Sequence, residues 1–520
     1  MNSHTISQAP DPAEIRQQVK ARIDAEGDLA PPADASMEIT AEFIETCYNA
    51  NELGDGALFA EMLRDQFIYD ATGDWWLSWQ GHYWERDVTG RALAAVEKVA
   101  LRYGQEAAAL YRQLASTQDD GMAATIKAKA KKINRRIDRL RSVSGREKCL
   151  KMAATLPESA LVVTGDQLDA EPWLLACQNG VIDLRTGACR SGKPGQHLTK
   201  AAQVEWQGYD APAPTWEKFI LDVVDGDQDV ADYLRRLMGY AITGSIREHI
   251  FVIFCGAGRN GKGTLIETLQ KILGPLAVPI PPEMLLDQGR VRSSAGPSPD
   301  IMMLQGRRVC FASETDQGRK FSTGAVKRFS GGDTLTGRNP HDRAPISFAP
   351  THLLILATNH KPKACADDPA FWARMHLVEF PLAFVDRPLA PNERQIDRTL
   401  DEKLIAEASG ILSWLVRGAV EWQQQGLNPP QTIRDATAEY RRNEDDLADF
   451  LDEKCIIAEG SELQAKSAYT AYKEWFTENI SDKVPSQKRF GEMMSKRFKK
   501  EKGGPQNTVR YFGIELRSQF

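Results

Sequence analysis

Apolar residues recur at helical spacing from Ile39 onward. The stretches ITAEFIETCYNA (39–50) and ALFAEMLRDQFIYDA (57–71) place them three and four residues apart, as in an amphipathic helix. The period then changes. WWLSWQGHYWERD (75–87) alternates aromatic and polar positions around Gln80-Gly81, which predicts a β-hairpin. Helical spacing resumes at Ala92 and continues to about Leu156, and WLLACQNGVIDLRTGACR (173–190) reads as short strands turning at Asn179-Gly180 and Thr186-Gly187. The segment DAPAPT (210–215) predicts a linker, and Trp216–Thr243 reads as helix. Three β-rich apolar runs follow: HIFVIFC (249–255), RRVCFASE (307–314) and THLLILATN (351–359). Helix-like or loop sequence separates them, which predicts a parallel α/β sheet. Leu400–Gln425 predicts one amphipathic helix stopped by Gly426 and Pro429-Pro430. The remainder alternates helical segments with a terminal VRYFGIEL strand, and no repeat with a period of about 20–50 residues is present.

Length excludes a single ordinary core: 520 residues predict about three or four units. With 42% hydrophobic and 26% charged residues the chain is globular, and residues 1–40, with Pro10, Pro12 and Pro31-Pro32, read as a flexible arm. Apolar runs such as Phe251–Cys255 and Leu353–Ala357 are far shorter than the roughly 18 residues that span a bilayer. The first twenty residues hold no apolar signal core, and the eight cysteines form no CxxC pair. A reducing cytoplasm, without membrane partners, is the expected location. The net charge of −6 excludes a uniformly basic binder, yet Ile126–Arg141 carries eight Lys/Arg against one Asp, and Lys488–Lys502 seven against two Glu.

The string FVIFCGAGRNGKGTLIETLQKILG (251–274) runs a buried strand into Gly256-Ala257-Gly258-Arg259-Asn260-Gly261-Lys262-Gly263-Thr264 and then into a helix. Glycines let backbone N–H groups converge on a triphosphate, the helix N-terminus adds its dipole, and Lys262 supplies a cation. Gly263 stands where Ser or Thr usually follows the lysine, which leaves Thr264 as the hydroxyl for Mg²⁺. Glu314, at the carboxyl edge of the second run, can orient water and hold the metal, with Asp316 a nearby competitor. Asn359, ending the third run, can sense a γ-phosphate.

These residues resemble the phage/plasmid primase–helicase family, whose motor is a superfamily 3 helicase of the AAA+ class, with an N-terminal region similar to that of poxvirus-type NTPases. The resemblance rests on GAGRNGKGT, the ASE strand end, KRFSGGDTLTGR (327–338), FAPTHLLILATNHKP (348–362), DDPAFWARMHLVEFP (367–381) and the upstream WWLSWQGHYWERD and LLACQNGVIDLRTG strings. It implies an α/β fold: a P-loop NTPase domain with a central parallel sheet, a mainly helical α+β domain before it and a winged-helix-like domain after it. The implied limits are an arm over 1–40, a helicase-associated domain over 41–210, the ATPase over 211–390, a helical connector over 391–440 and a DNA-binding domain over 441–520.

The same resemblance implies ATP and Mg²⁺ as cofactors and a homo-oligomeric ring, usually a hexamer, with nucleotide between subunits. Gly256, Gly258, Asn260, Gly261, Lys262, Gly263 and Thr264 become the nucleotide cradle, Glu314 Walker B and Asn359 sensor 1. Arg374 becomes the finger offered to the neighbouring subunit; a structural arginine paired with Asp367 or Asp368 is the alternative. A channel hairpin over DTLTGRNPHDRAPISF (333–348) would bring Arg338, His341 and Arg343, supported by Lys327, to single-stranded or forked DNA. Lys488, Arg489, Lys496 and Arg497 of the basic tail would also face DNA, and the helix over 127–141 is either a ring-entrance lining or an exposed face. Some 45 residues precede the shared region, too few for a primase core, so no primer synthesis is expected from this chain alone, and a separate primase or polymerase is an expected partner. The implied function is an ATP-dependent helicase of phage, prophage or plasmid replication in a bacterial host cytoplasm. An origin-binding or loading ring is the alternative, and a small-molecule kinase is a third reading that leaves the hairpin and tail unexplained.

Overall fold

The computed structural model describes residues 39–156, 159, 161–289, 296–313, 318–340, 345–480, 482, 484–503 and 508–517. Five strands make its central sheet: β1 (Phe251–Cys255), β2 (Ala277–Ile280), β3 (Val309–Ser313), β4 (Leu353–Thr358) and β5 (Met375–Glu379). All are parallel and lie in the order β5-β1-β4-β3-β2. Their unbroken apolar runs are explained by burial on both faces. Val252, Phe254, Val309, Phe311, Leu353 and Ile355 enter one core, while Phe251, Ile253, Cys310, Ala312, Leu354 and Leu356 enter the other. The protein is thus mixed α/β, with a parallel sheet flanked by helices.

The helix expected over 216–243 is two helices, Pro214–Val223 and Gln228–Ile242. Asp225 and Gly226 both take positive φ (53° and 81°) and break it, and the Asp227 carboxylate caps the second piece at Val230 N, 3.0 Å away. The helix expected over 400–425 also divides, into Leu400–Ala406 and Ala408–Gln425. At the division the Glu407 carboxylate accepts hydrogen bonds from Thr215 N and Trp216 N, both 3.0 Å, and so caps the start of Pro214–Val223.

That contact changes the reading of Asp210–Thr215, which is fastened rather than free. Ser413 Oγ donates to Gly208 O at 2.6 Å and Arg417 to Tyr209 O at 3.1 Å. One apolar core runs across the expected 210/211 limit, joining Leu175, Cys177, Ile182 and Leu184 to Trp216, Leu237, Ile355 and Trp422. Residues expected to form a connector also belong to the body. Helices Gln228–Ile242 and Ala408–Gln425 cross so closely that a Cβ on Gly239 would lie 2.1 Å from Ala419 N, and one on Gly418 2.0 Å from Arg235 O. Only glycine permits that approach. Helix Gln431–Asn443 lies over β5, where Tyr440 meets Trp372 edge to face.

Upstream, helices Ala41–Asn49, Asn51–Leu63, Arg91–Ser116, Asp120–Arg141 and Val143–Ala153 enclose their own core. A four-stranded sheet beside them contains the expected hairpin, with Trp79 opposite Trp84. In Asp120–Arg141 an apolar stripe of Ile126, Ala130, Ile133, Ile137 and Leu140 is buried. Several of its basic residues hold carboxylates: Arg136 binds Asp55 at 3.1 Å, Arg141 binds Glu97 at 2.8 Å, and Lys129 binds Glu45.

At the other end, helix Asp446–Lys454, strand Cys455–Gln464, helices Ala465–Asn479 and Gln487–Ser495, and strands Lys500–Gly503 and Thr508–Leu516 surround Phe450, Tyr472, Trp475 and Phe490. The strand Thr508–Leu516 lies between the other two. Among the described residues no helix is long and apolar enough to cross a membrane.

Candidate functional site

At the carboxyl edge of the sheet, β1 gives way to a turn over 256–261 and then to helix Lys262–Leu273. The turn has little slack. A Cβ on Gly256 would meet Asn260 Nδ2 at 2.2 Å and Phe380 O at 2.5 Å. Gly261 takes φ 86° and Arg259 φ 57°, and the backbone is pinned by Gly256 N to Thr358 O (3.3 Å) and Phe384 N to Arg259 O (2.7 Å). Gly258 and Gly263 stand differently: no atom lies within 4 Å of a Cβ on Gly258, and a Cβ on Gly263 meets only Glu267 Oε1, at 3.9 Å. Thr264 sits half-buried on the first helical turn.

Lys262 is 7% exposed, and its ammonium donates to Gly256 O (2.6 Å), Asn260 Oδ1 (3.1 Å) and Asn359 Oδ1 (3.3 Å). The loop after β1 and the end of β4 therefore converge on one cation. Burial lowers the Lys262 pKa, and among the described residues its hydrogen bonds reach only neutral oxygens. Beside it Asn260 is 3% exposed, with an Nδ2 that has no hydrogen-bond partner among the described residues. An unpaired buried donor costs about 1–3 kcal/mol. A shielded cation with no anion among the described residues, beside an unspent N–H donor, fits an incoming phosphate on both counts.

The metal side is less complete. Thr264 is the described hydroxyl, whereas Glu314 and Asp316 lie outside the described residues. Among those described, no cluster of three or more His, Cys, Asp or Glu is placed to hold an ion.

Arg374 lies at the opposite edge of the sheet. It precedes Met375, the partner of Phe251 in the β5–β1 ladder, so it is roughly 20 Å along the strands from Gly256. Its guanidinium donates to His249 O at 3.2 Å, and its Nε has no partner among the described residues. The pairing with Asp367 or Asp368 that sequence left open is not formed. Asp368 binds Lys327 at 2.8 Å, and Asp367 faces Arg497 at 3.7 Å and Lys496 at 3.9 Å.

The expected hairpin is present as antiparallel strands Leu335–Gly337 and Ile346–Phe348. Arg338 follows the first strand, half-buried, its backbone N donating to Ser298 Oγ at 3.1 Å; His341 and Arg343 lie outside the described residues. Lys327 is not on this hairpin but on helix Thr323–Phe329, engaged by Asp368. In the tail Lys488 and Arg489 are exposed on helix Gln487–Ser495. Arg497 instead grips both oxygens of Asp445, at 2.5 and 2.6 Å, and Lys496 donates to Asp367 O at 3.1 Å. Those two cations, expected to face DNA, turn toward their own chain.

A family model described as D5 N terminal like matches residues 56–225. A protein of Acanthamoeba polyphaga mimivirus named "Putative helicase" is 28% identical over 335 residues, covering 62% of this chain and 35% of that one. A "Putative primase" of African swine fever virus is 23% identical over 336 residues, covering 61% of this chain and 34% of the relative. These matches make the chain similar to viral proteins of the primase–helicase type. It spans about a third of the length of these two relatives. Among solved structures, the apo C-terminal region of NrS-1 aligns with 71% of this chain and 89% of its own, at 13% identity and a TM-score of 0.39.

One neighbour of the site escaped sequence reasoning. Lys361, two residues after Asn359, binds Glu379 at the end of β5 at 2.8 Å, which ties the ends of β4 and β5 beside Lys262. Both are ordinary charged residues just past apolar strands, and the signal was that both strands end on the same edge.

Proposed function

We propose that the chain is an ATP-driven DNA helicase subunit of the phage/plasmid replication type, acting as a ring built on an AAA+-type P-loop domain with a winged-helix-like tail. What carries this reading is the division of labour across the sheet. Lys262, Asn260 and Asn359 meet at one edge while Arg374 stands at the other, out of reach of its own cradle. An arginine so placed serves a site on a neighbouring copy. The hairpin and the exposed Lys488–Arg489 supply the DNA-facing surfaces, and relatives named helicase and primase accord with a replication role.

In this mechanism Lys262 Nζ leaves Gly256 O for the β/γ-phosphate oxygens and Asn260 Nδ2 donates its free N–H to them. Asn359, released from Lys262, holds the attacking water or the γ-phosphate. Thr264 and Glu314 would hold Mg²⁺, which supplies charge neutralisation across the phosphates. Arg374 of one subunit stabilises charge developing in the next, and the resulting shift is carried to the hairpin, which grips the DNA backbone with little sequence preference and strong salt dependence.

The test is ATP hydrolysis and forked-duplex unwinding by the purified protein, with and without single-stranded DNA. Hydrolysis that DNA stimulates and Lys262→Ala abolishes supports the reading; hydrolysis surviving Lys262→Ala refutes it. Stimulated hydrolysis without strand separation moves the function to a loading or origin-binding ATPase.

A further inference from the structure

The Asp367–Arg374 segment connects more elements than its length requires. Asp368 binds Lys327 Nζ at 2.8 Å through Oδ2 and caps helix Pro369–Trp372 through Oδ1, which accepts from Phe371 N at 3.1 Å. Arg374 follows that helix within one turn, its N donating to Phe371 O at 3.1 Å and its carbonyl accepting from Phe251 N at 2.9 Å. Burial raises the Asp368 pKa, but the Lys327 ammonium, the Phe371 amide and Thr323 together hold it below the usual carboxylate value. Lys327 and Thr323 both belong to the helix that leads, through Ser330–Thr334, into the hairpin strand Leu335–Gly337. A second route closes the loop. The His249 ring lies 3.3 Å from where a Cβ on Gly332 would sit, in that same connecting turn, and His249 O receives the Arg374 guanidinium at 3.2 Å.

Resting on the helicase reading above, we propose that Lys327 and Asp368 are a positioning pair for Arg374: they transmit the position of the hairpin to the arginine, so that hydrolysis responds to DNA in the channel. Lys327 then acts through Asp368 rather than on a phosphate. The cap and the ion pair use different oxygens of one carboxylate, so moving the Lys327 helix turns the short helix Pro369–Trp372, which Arg374 follows by two residues. Adjacent Asp367 faces the tail's Lys496 and Arg497, which holds the same segment from its other side.

The experiment compares the full-length oligomer with Lys327→Met, Lys327→Arg, Asp368→Asn and the Lys327→Met/Asp368→Asn double variant. Asn retains an oxygen for the helix cap, and Met retains the apolar stem. The expected result is a fall of about threefold to tenfold in DNA-stimulated kcat for each charge-removing variant, with KM for ATP, single-stranded DNA affinity and its salt slope unchanged. The double variant falls no further than either single one, and Lys327→Arg retains activity. Thermal midpoints within about 2 °C of the parent exclude simple loss of folding, since that interval corresponds to no more than about 1 kcal/mol. The proposal is overturned if Lys327→Met weakens DNA binding and shallows its salt slope, since Lys327 would then be a phosphate contact. It is also overturned if kcat is unmoved or the two effects multiply. Absence of DNA-stimulated hydrolysis in the parent protein refutes the helicase reading itself, and the positioning role falls with it.

Discussion

Substituting Gly256 by alanine separates a steric requirement of the cradle from mere glycine content. The new methyl carbon would sit 2.2 Å from Asn260 Nδ2 and 2.5 Å from Phe380 O. The amide can rotate away, but the carbonyl cannot, because Phe380 N is bonded to Cys255 O at 2.8 Å as a continuation of the β5–β1 ladder. Restoring contact to about 3.4 Å requires the turn to move by roughly 1 Å, a repacking that costs about 1–3 kcal/mol. For a unit of this size that is a fall of roughly 2–12 °C in thermal midpoint. The same shift pulls Asn260 from Lys262, now 3.1 Å away, so ATP affinity should weaken by about tenfold to a hundredfold. Gly263→Ala is the matched control: its methyl meets only Glu267 Oε1 at 3.9 Å, so midpoint and affinity should stay near those of the parent. Differential scanning fluorimetry and titration with a fluorescent ATP analogue read both quantities. Parent-like behaviour of Gly256→Ala, or equal loss from the two substitutions, would refute the steric argument.

Arg374→Ala should lower kcat by about a thousandfold or more while ATP affinity stays within about threefold, the signature of a trans finger. Mixing it with Lys262→Ala subunits should restore hydrolysis at interfaces that hold both native residues; no recovery counts against shared sites. In the tail, Lys488→Ala should reduce the logarithmic salt slope of forked-DNA binding by about one, whereas Arg497→Ala should leave the slope unchanged and lower the thermal midpoint by a few degrees through loss of the Asp445 pair. In the upstream helical unit, burial outweighs Arg136 and holds the Asp55 carboxyl up at about 6. A raised folded-state pKa means stability present at low pH and lost as pH rises. The unfolding free energy of the parent minus that of Asp55→Asn should therefore fall between about pH 4 and pH 6 and level off above, as read from urea unfolding across pH. A difference that rises over that window reverses the assigned cause.

Three of the sheet's five strands, β1, β3 and β4, were legible because burial on both faces leaves unbroken apolar runs, whereas β2 and β5 were not read as strands. Asn260 and Lys262 stood out through the glycine-rich turn after β1, and Asn359 through its place at the end of β4. The hairpin of strands Leu335–Gly337 and Ile346–Phe348 was expected from the family resemblance alone, since its strands are only three residues each. Contacts set by partners distant in sequence could not be read. Glu407 divides a helix that its local spacing makes continuous, because its carboxylate caps a helix almost two hundred residues earlier. Lys327, Lys496 and Arg497 read as free cations, since local composition does not reveal that Asp367, Asp368 and Asp445 face them. The boundary placed at a proline-rich stretch failed for the same reason: rigid, solvent-compatible residues mark linkers and fastened edges alike.

The Arg308 guanidinium, pressed to a pKa of about 10 by burial, donates to the carbonyls of Glu171 and Leu174 from the start of β3. It stitches the segment over 171–184 to the sheet from beneath, and Gln203 N adds a bond to Ile272 O at 2.7 Å. A fragment engineered to begin at residue 211 would strip this cladding, bare apolar side chains such as Trp216 and Trp422, and abandon a cation in the interior. Recombinant pieces meant to behave as monodisperse samples should start ahead of residue 171, and swapping the front portion between relatives should succeed only when the strands over 174–190 travel with the sheet.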